Sequence, residues 1–145
     1  MGCGLSSEVA SAVAGAGNPE EALEQALRRG DTSALETALS APVNVNKTIK
    51  DEDGNDCTAL HIAARMGHAR AVQMLLKANA NPKVVDGQGK SPLHWAAMYD
   101  HPEVISELIK GGAEADLACN QGTTALMIAI IKDNTDSIHA LIQVS

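Results

Sequence analysis

Phenylalanine is absent from the 145 residues, and tryptophan and tyrosine occur once each. A β-sandwich draws its core from aromatic and β-branched side chains, so that class is disfavoured. The core must come from Ala, Leu, Ile, Val and Met, within a hydrophobic fraction of 45%. Such side chains suit thin, closely packed helices. Basic residues are also scarce: 11 Lys and Arg stand against 18 Asp and Glu, for a formal net charge of −7. No strongly basic face is expected, which argues against nucleic acid as a partner. An acidic body is also repelled by anionic lipid. No apolar run reaches the roughly 18 residues of a membrane-spanning helix. The first residues lack the basic start and apolar middle of a secretory signal. Cysteine occurs only as Cys3, Cys57 and Cys119. Odd in number and far apart, these read as reduced thiols in a cytosolic compartment. The length fits one domain burying roughly two-thirds of its unfolded surface.

What is present is a repeat. CTALHIAARMGHARAVQMLLKANAN begins at Cys57, KSPLHWAAMYDHPEVISELIKGGAE at Lys90 and TTALMIAIIKDNTDSIHALI at Thr123, with equivalent positions 33 residues apart. Val72, Leu75 and Leu76 recur as Ile105, Leu108 and Ile109, then as Ile138, Leu141 and Ile142. That i, i+3, i+4 stripe marks one face of a helix. Thr58, Ser91 and Thr124 stand where an N-cap belongs, and Pro92 follows at the first helical position. A short Ala-rich helix comes next. Gly67-His68 and Asp100-His101-Pro102 break it, and a second helix ends at Asn79 or at Gly111-Gly112. An extended segment with a Gly-containing turn, such as Asp86-Gly87-Gln88-Gly89, completes the unit.

In SPLHWAA, TALHIAARMGH and ELIKGGAE, and in its 33-residue period, the chain resembles the ankyrin-repeat family over about residues 20–145. The resemblance implies an α-dominated solenoid of stacked helix-turn-helix pairs with β-hairpin or finger loops. The expected divisions are 18–46 as an N-terminal capping half-repeat, 53–85 and 86–118 as repeats, and 119–145 as the C-terminal repeat. The first unit lacks the Thr-x-Leu-His turn. Asn18 and Pro19 open it and Gly30-Asp31 replaces the Gly-His break. Leu35 and Leu39 lie 37 rather than 33 residues before Val72 and Leu76, so four extra residues lengthen the first finger. Terminal units are expected to act as caps, because a solenoid must end in water.

His61 and His94 could be metal ligands, but the resemblance implies that each bonds the nearby hydroxyl and bridges to the adjoining finger. Met127 stands in the same place of the last unit, where no further finger awaits. Asp51-Glu52-Asp53-Gly54-Asn55-Asp56 suggests a calcium loop, yet the sixth and twelfth positions are Asp56 and Ile62 rather than Gly and Glu. Zinc spacings, phosphate-binding glycine loops and nucleophile elbows are missing. No enzyme activity, metal or cofactor is therefore expected. In the ankyrin-repeat family, partners bind along the finger tips and the concave face. The corresponding residues here are Arg65, Met66, Met98, Tyr99, Ile131 and Lys132, with Lys90 at the head of the second unit. They are expected to form an apolar strip with basic edges that binds one protein partner, from a monomeric chain.

Met1-Gly2-x-x-x-Ser6 matches the N-myristoylation pattern. One myristoyl chain binds membranes only marginally, with a constant of about 10⁴ M⁻¹. The first 19 residues contain no Lys or Arg to supply a second signal, which leaves palmitate on Cys3. Residues 1–17 then read as a flexible acylated leader, resembling the Met-Gly-Cys starts of Src-type kinases and G-protein alpha subunits. The expectation is an adaptor on the cytoplasmic face of a membrane such as the plasma membrane. The alternative is a soluble cytosolic inhibitor or assembly subunit.

Overall fold

The computed structural model describes residues 19–51 and 53–143. Gly2, Cys3, the 1–17 leader and Asn18 lie outside the described residues. Among the described residues, eight helices run in four pairs: α1 Pro19–Arg29 with α2 Thr32–Ser40, α3 Ala59–Met66 with α4 Ala69–Lys77, α5 Pro92–Met98 with α6 Pro102–Lys110, and α7 Ala125–Ile131 with α8 Thr135–Gln143. The pairs stack so that α1, α3, α5 and α7 form an inner row and α2, α4, α6 and α8 an outer row. The single β-hairpin among the described residues joins β1 Ile49–Lys50 to β2 Asp56–Cys57, antiparallel, with Ile49 opposite Cys57. It lies in the lengthened first finger, where the extra residues give two strands room to pair. The later fingers are turns.

Helix boundaries follow local chemistry. Thr58, Ser91 and Thr124 are the N-caps of α3, α5 and α7, and Pro92 and Pro102 open α5 and α6. The Asp31 carboxylate caps α2 by accepting from the Ala34 N–H at 3.1 Å. Gly67 ends α3 at φ +75°, and a Cβ there would also lie 2.5 Å from Nδ1 of His101. Asp100 and Asp133 take the equivalent left-handed place in the next two units. The repeated stripe supplies the core: Val72, Leu75, Ile105, Leu108 and Leu141 are buried. Ala63, Ala64, Ala96 and Ala97 are fully buried where the inner helices meet, since only small side chains allow that approach.

Two histidines fasten unit to unit. His61 lies three residues after Thr58, accepts from the Thr58 N–H through Nδ1 at 3.1 Å, and donates from Nε2 to the Lys90 carbonyl at 2.9 Å. His94 repeats this with the Ser91 N–H at 3.0 Å and the Thr123 carbonyl at 2.9 Å. A carbonyl only accepts, so each ring carries its proton on Nε2. The structure also reveals a second set of ties, one of them from a histidine in a segment expected only to break the helix. His101 Nε2 donates to the Arg65 carbonyl at 2.9 Å, and Asn134 Nδ2 to the Ala97 carbonyl at 2.7 Å.

The two ends of the stack differ. On α1 the exposed residues are Glu21, Gln25 and Arg29, the polar face expected of a cap. The last unit instead exposes apolar side chains in places its predecessors bury. Ile130 is 57% exposed where Ala64 and Ala97 are covered, and Met127 is 50% exposed where His61 and His94 are covered. The cap expected at this end therefore has an apolar outer face, because no further pair lies against it among the described residues.

Burial holds His61 and His94 below the ordinary imidazole value of 6.5, although their carbonyl partners and Asp86 act to raise them. The unfolded chain therefore takes up protons first as pH falls below about 6.5. Stability present in full above that value should decline towards the folded-state pKa. Urea melts at several pH values should show this decline. His94→Ala should cost about 1–3 kcal/mol at neutral pH and flatten the dependence, whereas Met127→His should change little. Equal losses at both positions would contradict the bridging role.

Candidate functional site

The inner row and the fingers meet in rigid turns. The Asp86 N–H donates to the Lys90 carbonyl at 2.8 Å, and the Gly89 N–H to the Asp86 carbonyl at 3.0 Å. The Asp86 carboxylate turns inward. Its Oδ1 accepts from the backbone N–H groups of Gln88 and Lys90 at 2.9 and 2.8 Å, and its Oδ2 from Trp95 Nε1 at 2.9 Å. The single tryptophan is thus locked to the finger, with its ring edge-on to His61 at 5.4 Å. Asp51 builds the same turn one finger earlier, accepting from the Asp53 and Asn55 N–H groups at 2.9 and 2.7 Å. Burial alone would raise its pKa, but these bonds and the Asn55 side chain hold it below the ordinary value. The acidic loop is thus folded around one carboxylate, while Asp53, Gly54 and Asp56 are exposed. Among the described residues no group of three or more His, Cys, Asp or Glu is placed to hold a metal ion.

The third finger substitutes a thiol for that carboxylate. The Cys119 N–H donates to the Thr123 carbonyl at 2.9 Å and the Gly122 N–H to the Cys119 carbonyl at 2.8 Å, matching the turns at Asp51 and Asp86. Burial opposes ionisation of Cys119. Bonds from the backbone of Gln121 and Thr123, the Thr123 hydroxyl and the charge of Lys90 nevertheless hold the thiol below its ordinary value. Cys57 is the opposite case: burial, then the nearby charge of Asp51, pushes it up to about 12.

Two adjoining clefts lie between these turns and the inner helices. The first, of about 180 Å³, brings Arg65, Met98 and Tyr99 together with Lys90 and Trp95. The second, of about 310 Å³, holds Lys90, Met98, Ile131 and Lys132 beside Cys119 and Gln121. Lys90 and Met98 line both. Six of the seven residues expected on this surface are thus gathered. Met66 is the exception, for it lines neither cleft and is 41% exposed. Its counterparts Tyr99 and Lys132 are C-caps, where the chain has left the helix, whereas Met66 is still the last residue of α3 and Gly67 is the cap.

The expected strip is corrected in two further respects. It is not uniformly apolar, because Asp51, Asp53 and Asp86 line the first cleft. Arg65 is also not a detached basic edge, since its guanidinium lies over the Tyr99 ring, 5.6 Å from the centroid, within cation–π range. The wall residues Asp86, Trp95 and Cys119 were missed. The spacing from Asp51 to Asp86 exceeds the period, and Cys119 breaks the Asp pattern, so the shared turn is hidden in the sequence.

Residues 45–96 match a family model described as ankyrin repeats (many copies), and residues 78–145 one described as ankyrin repeats (3 copies). The chain is also 43% identical over 68 residues to the transient receptor potential cation channel subfamily A member 1 homolog of Caenorhabditis elegans. That match covers 46% of this chain and 5% of the relative. No helix among the described residues is long and apolar enough to cross a membrane.

The two described cysteines should react in a fixed order. Iodoacetamide added to the native chain near pH 8 should alkylate Cys119 through the second cleft, since the thiolate is the reacting form. Cys57 should react only as the chain unfolds. Peptide mapping by mass spectrometry reads the order, and earlier modification of Cys57 would contradict the turn geometry.

Proposed function

Residues 45–145 belong to the ankyrin-repeat family, and from that premise we propose that the chain is an adaptor which binds one protein partner on its concave face and is held at a membrane by acyl groups on Gly2 and Cys3. Ankyrin repeats imply protein–protein interaction. The observation that supports this face is the pair of adjoining clefts, assembled from residues far apart in sequence and walled by finger turns that are already hydrogen-bonded. A surface ordered before binding loses little entropy when a partner arrives.

Tyr99 is the favoured anchor, because aromatic side chains near the centre of an interface carry much of its energy. It is 43% exposed, so its ring is available to a partner while Arg65 braces one face. Once a partner has been identified by affinity purification of the native protein, Tyr99→Ala should weaken direct binding by about 2 kcal/mol and leave the thermal melt nearly unchanged. A collapsed melt would make Tyr99 a core residue. Unaltered affinity would move the site off this face.

The membrane part of the proposal rests on Met1-Gly2-x-x-x-Ser6 and on Cys3 as the second signal. Gly2→Ala should abolish both acyl masses in intact-mass spectra and release the chain from membranes. Cys3→Ser should keep myristate and bind membranes weakly and exchangeably, from the one-chain against two-chain arithmetic. If both variants sediment as the parent does, the leader is not the anchor. A parent chain without acyl mass would favour the soluble inhibitor or assembly subunit.

A further inference from the structure

The concave face is divided by charge. The whole chain is acidic, with 18 Asp and Glu against 11 Lys and Arg, and the first cleft follows that balance with three aspartates against Arg65 and Lys90. The second cleft reverses it: Lys90 and Lys132 line it and no carboxylate does. Neither lysine forms an ion pair among the described residues. Between them the lining is aliphatic, from Met98, Ile128 and Ile131. Ile131 is 74% exposed, an unusual position for a large aliphatic side chain with no use.

We propose that the second cleft receives a partner segment in which Asp or Glu flank aliphatic side chains. This rests on the concave-face reading and names the chemistry of its occupant. Aliphatic groups of the segment cover Met98, Ile128 and Ile131, and its carboxylates reach Lys90 and Lys132. A basic segment is attracted to the acidic chain at long range, but here it sets cations beside two unpaired lysines. An acidic segment meets the reverse balance, so its selection is short-ranged. Charges at such an edge set specificity and encounter rate more than total affinity. The aspartates of the first cleft reinforce the choice of register, because a carboxylate displaced towards them meets like charge.

The test uses the full chain and three short peptides of one length: leucine alternating with glutamate, with lysine and with glutamine. Binding is read by fluorescence anisotropy and mapped by backbone amide shifts. The glutamate peptide should bind at least about tenfold more tightly than the lysine peptide, a difference of about 1.4 kcal/mol. Its shifts should centre on residues 119–132. Lys90→Glu with Lys132→Glu should remove that preference, and Lys90→Gln with Lys132→Gln should reduce it, with melts matching the parent. Among the described residues the Lys90 side chain makes no bond, and its backbone carbonyl still serves His61, so both pairs of substitutions should fold. A lysine or glutamine peptide that binds as well, with shifts on the concave face, overturns the charge rule and leaves the concave-face reading standing. Shifts confined to the outer helices α4, α6 and α8 overturn both. Binding by none of the three overturns the proposed occupant, while the Tyr99 measurement with the native partner still judges the face.

Discussion

The imidazole Nε2–H that reaches from one unit to the backbone carbonyl of the next is the bond on which this architecture depends. It is made by His61 to Lys90 and by His94 to Thr123. Each ring also seals the N-terminus of its own helix through Nδ1. One neutral side chain therefore fixes where a helix starts, where the next finger lies and how far apart the units stand. Because both rings are buried, an unmade bond would leave a polar group without solvent, at a cost of about 1–3 kcal/mol. Apolar packing of Ala and Leu supplies most of the attraction between units, but that packing is not directional. The histidines provide the direction.

The walls of the concave face follow from that bond. Lys90 offers its carbonyl to His61 while its N–H donates to the Asp86 carboxylate. The same carboxylate holds Trp95. A chain of bonds thus runs from the core of one unit through the finger to the helix of the next, and Lys90 stands on it while lining both clefts. One of the two lysines of the second cleft therefore has both its backbone carbonyl and its N–H engaged.

Much of the fold could be read from the chain itself. The 33-residue spacing, the caps at Thr58, Ser91 and Thr124, and the prolines at 92 and 102 each state a local rule, and tertiary structure obeys them. Legibility declined where a role belongs to two units at once. The bonds from His101 and Asn134 to carbonyls of the preceding unit span more than 30 residues, and no local pattern announces them. The site was half legible for the same reason. The ankyrin resemblance pointed to Arg65, Met98, Tyr99, Ile131 and Lys132, and the structure gathers these five around the clefts. The resemblance could not tell that Met66 remains inside its helix while Tyr99 and Lys132 have left theirs. Nor could it tell that a thiol at position 119 does the work of an aspartate.

The apolar outer face of the last pair bears on the second cleft. A unit flanked on both sides is held by two stacking surfaces, whereas α7 and α8 are held by one among the described residues. In a solenoid whose stability is a sum of units and neighbouring interfaces, a pair with one stacking surface opens at lower free energy than a pair with two. Ile128, Ile131 and Lys132 all belong to the α7–α8 pair. The cleft is complete only while that pair is docked, and measured affinity is the intrinsic affinity scaled by the docked fraction. Occupancy and docking are linked, so whatever fills the cleft also acts as a clasp on the α7–α8 pair.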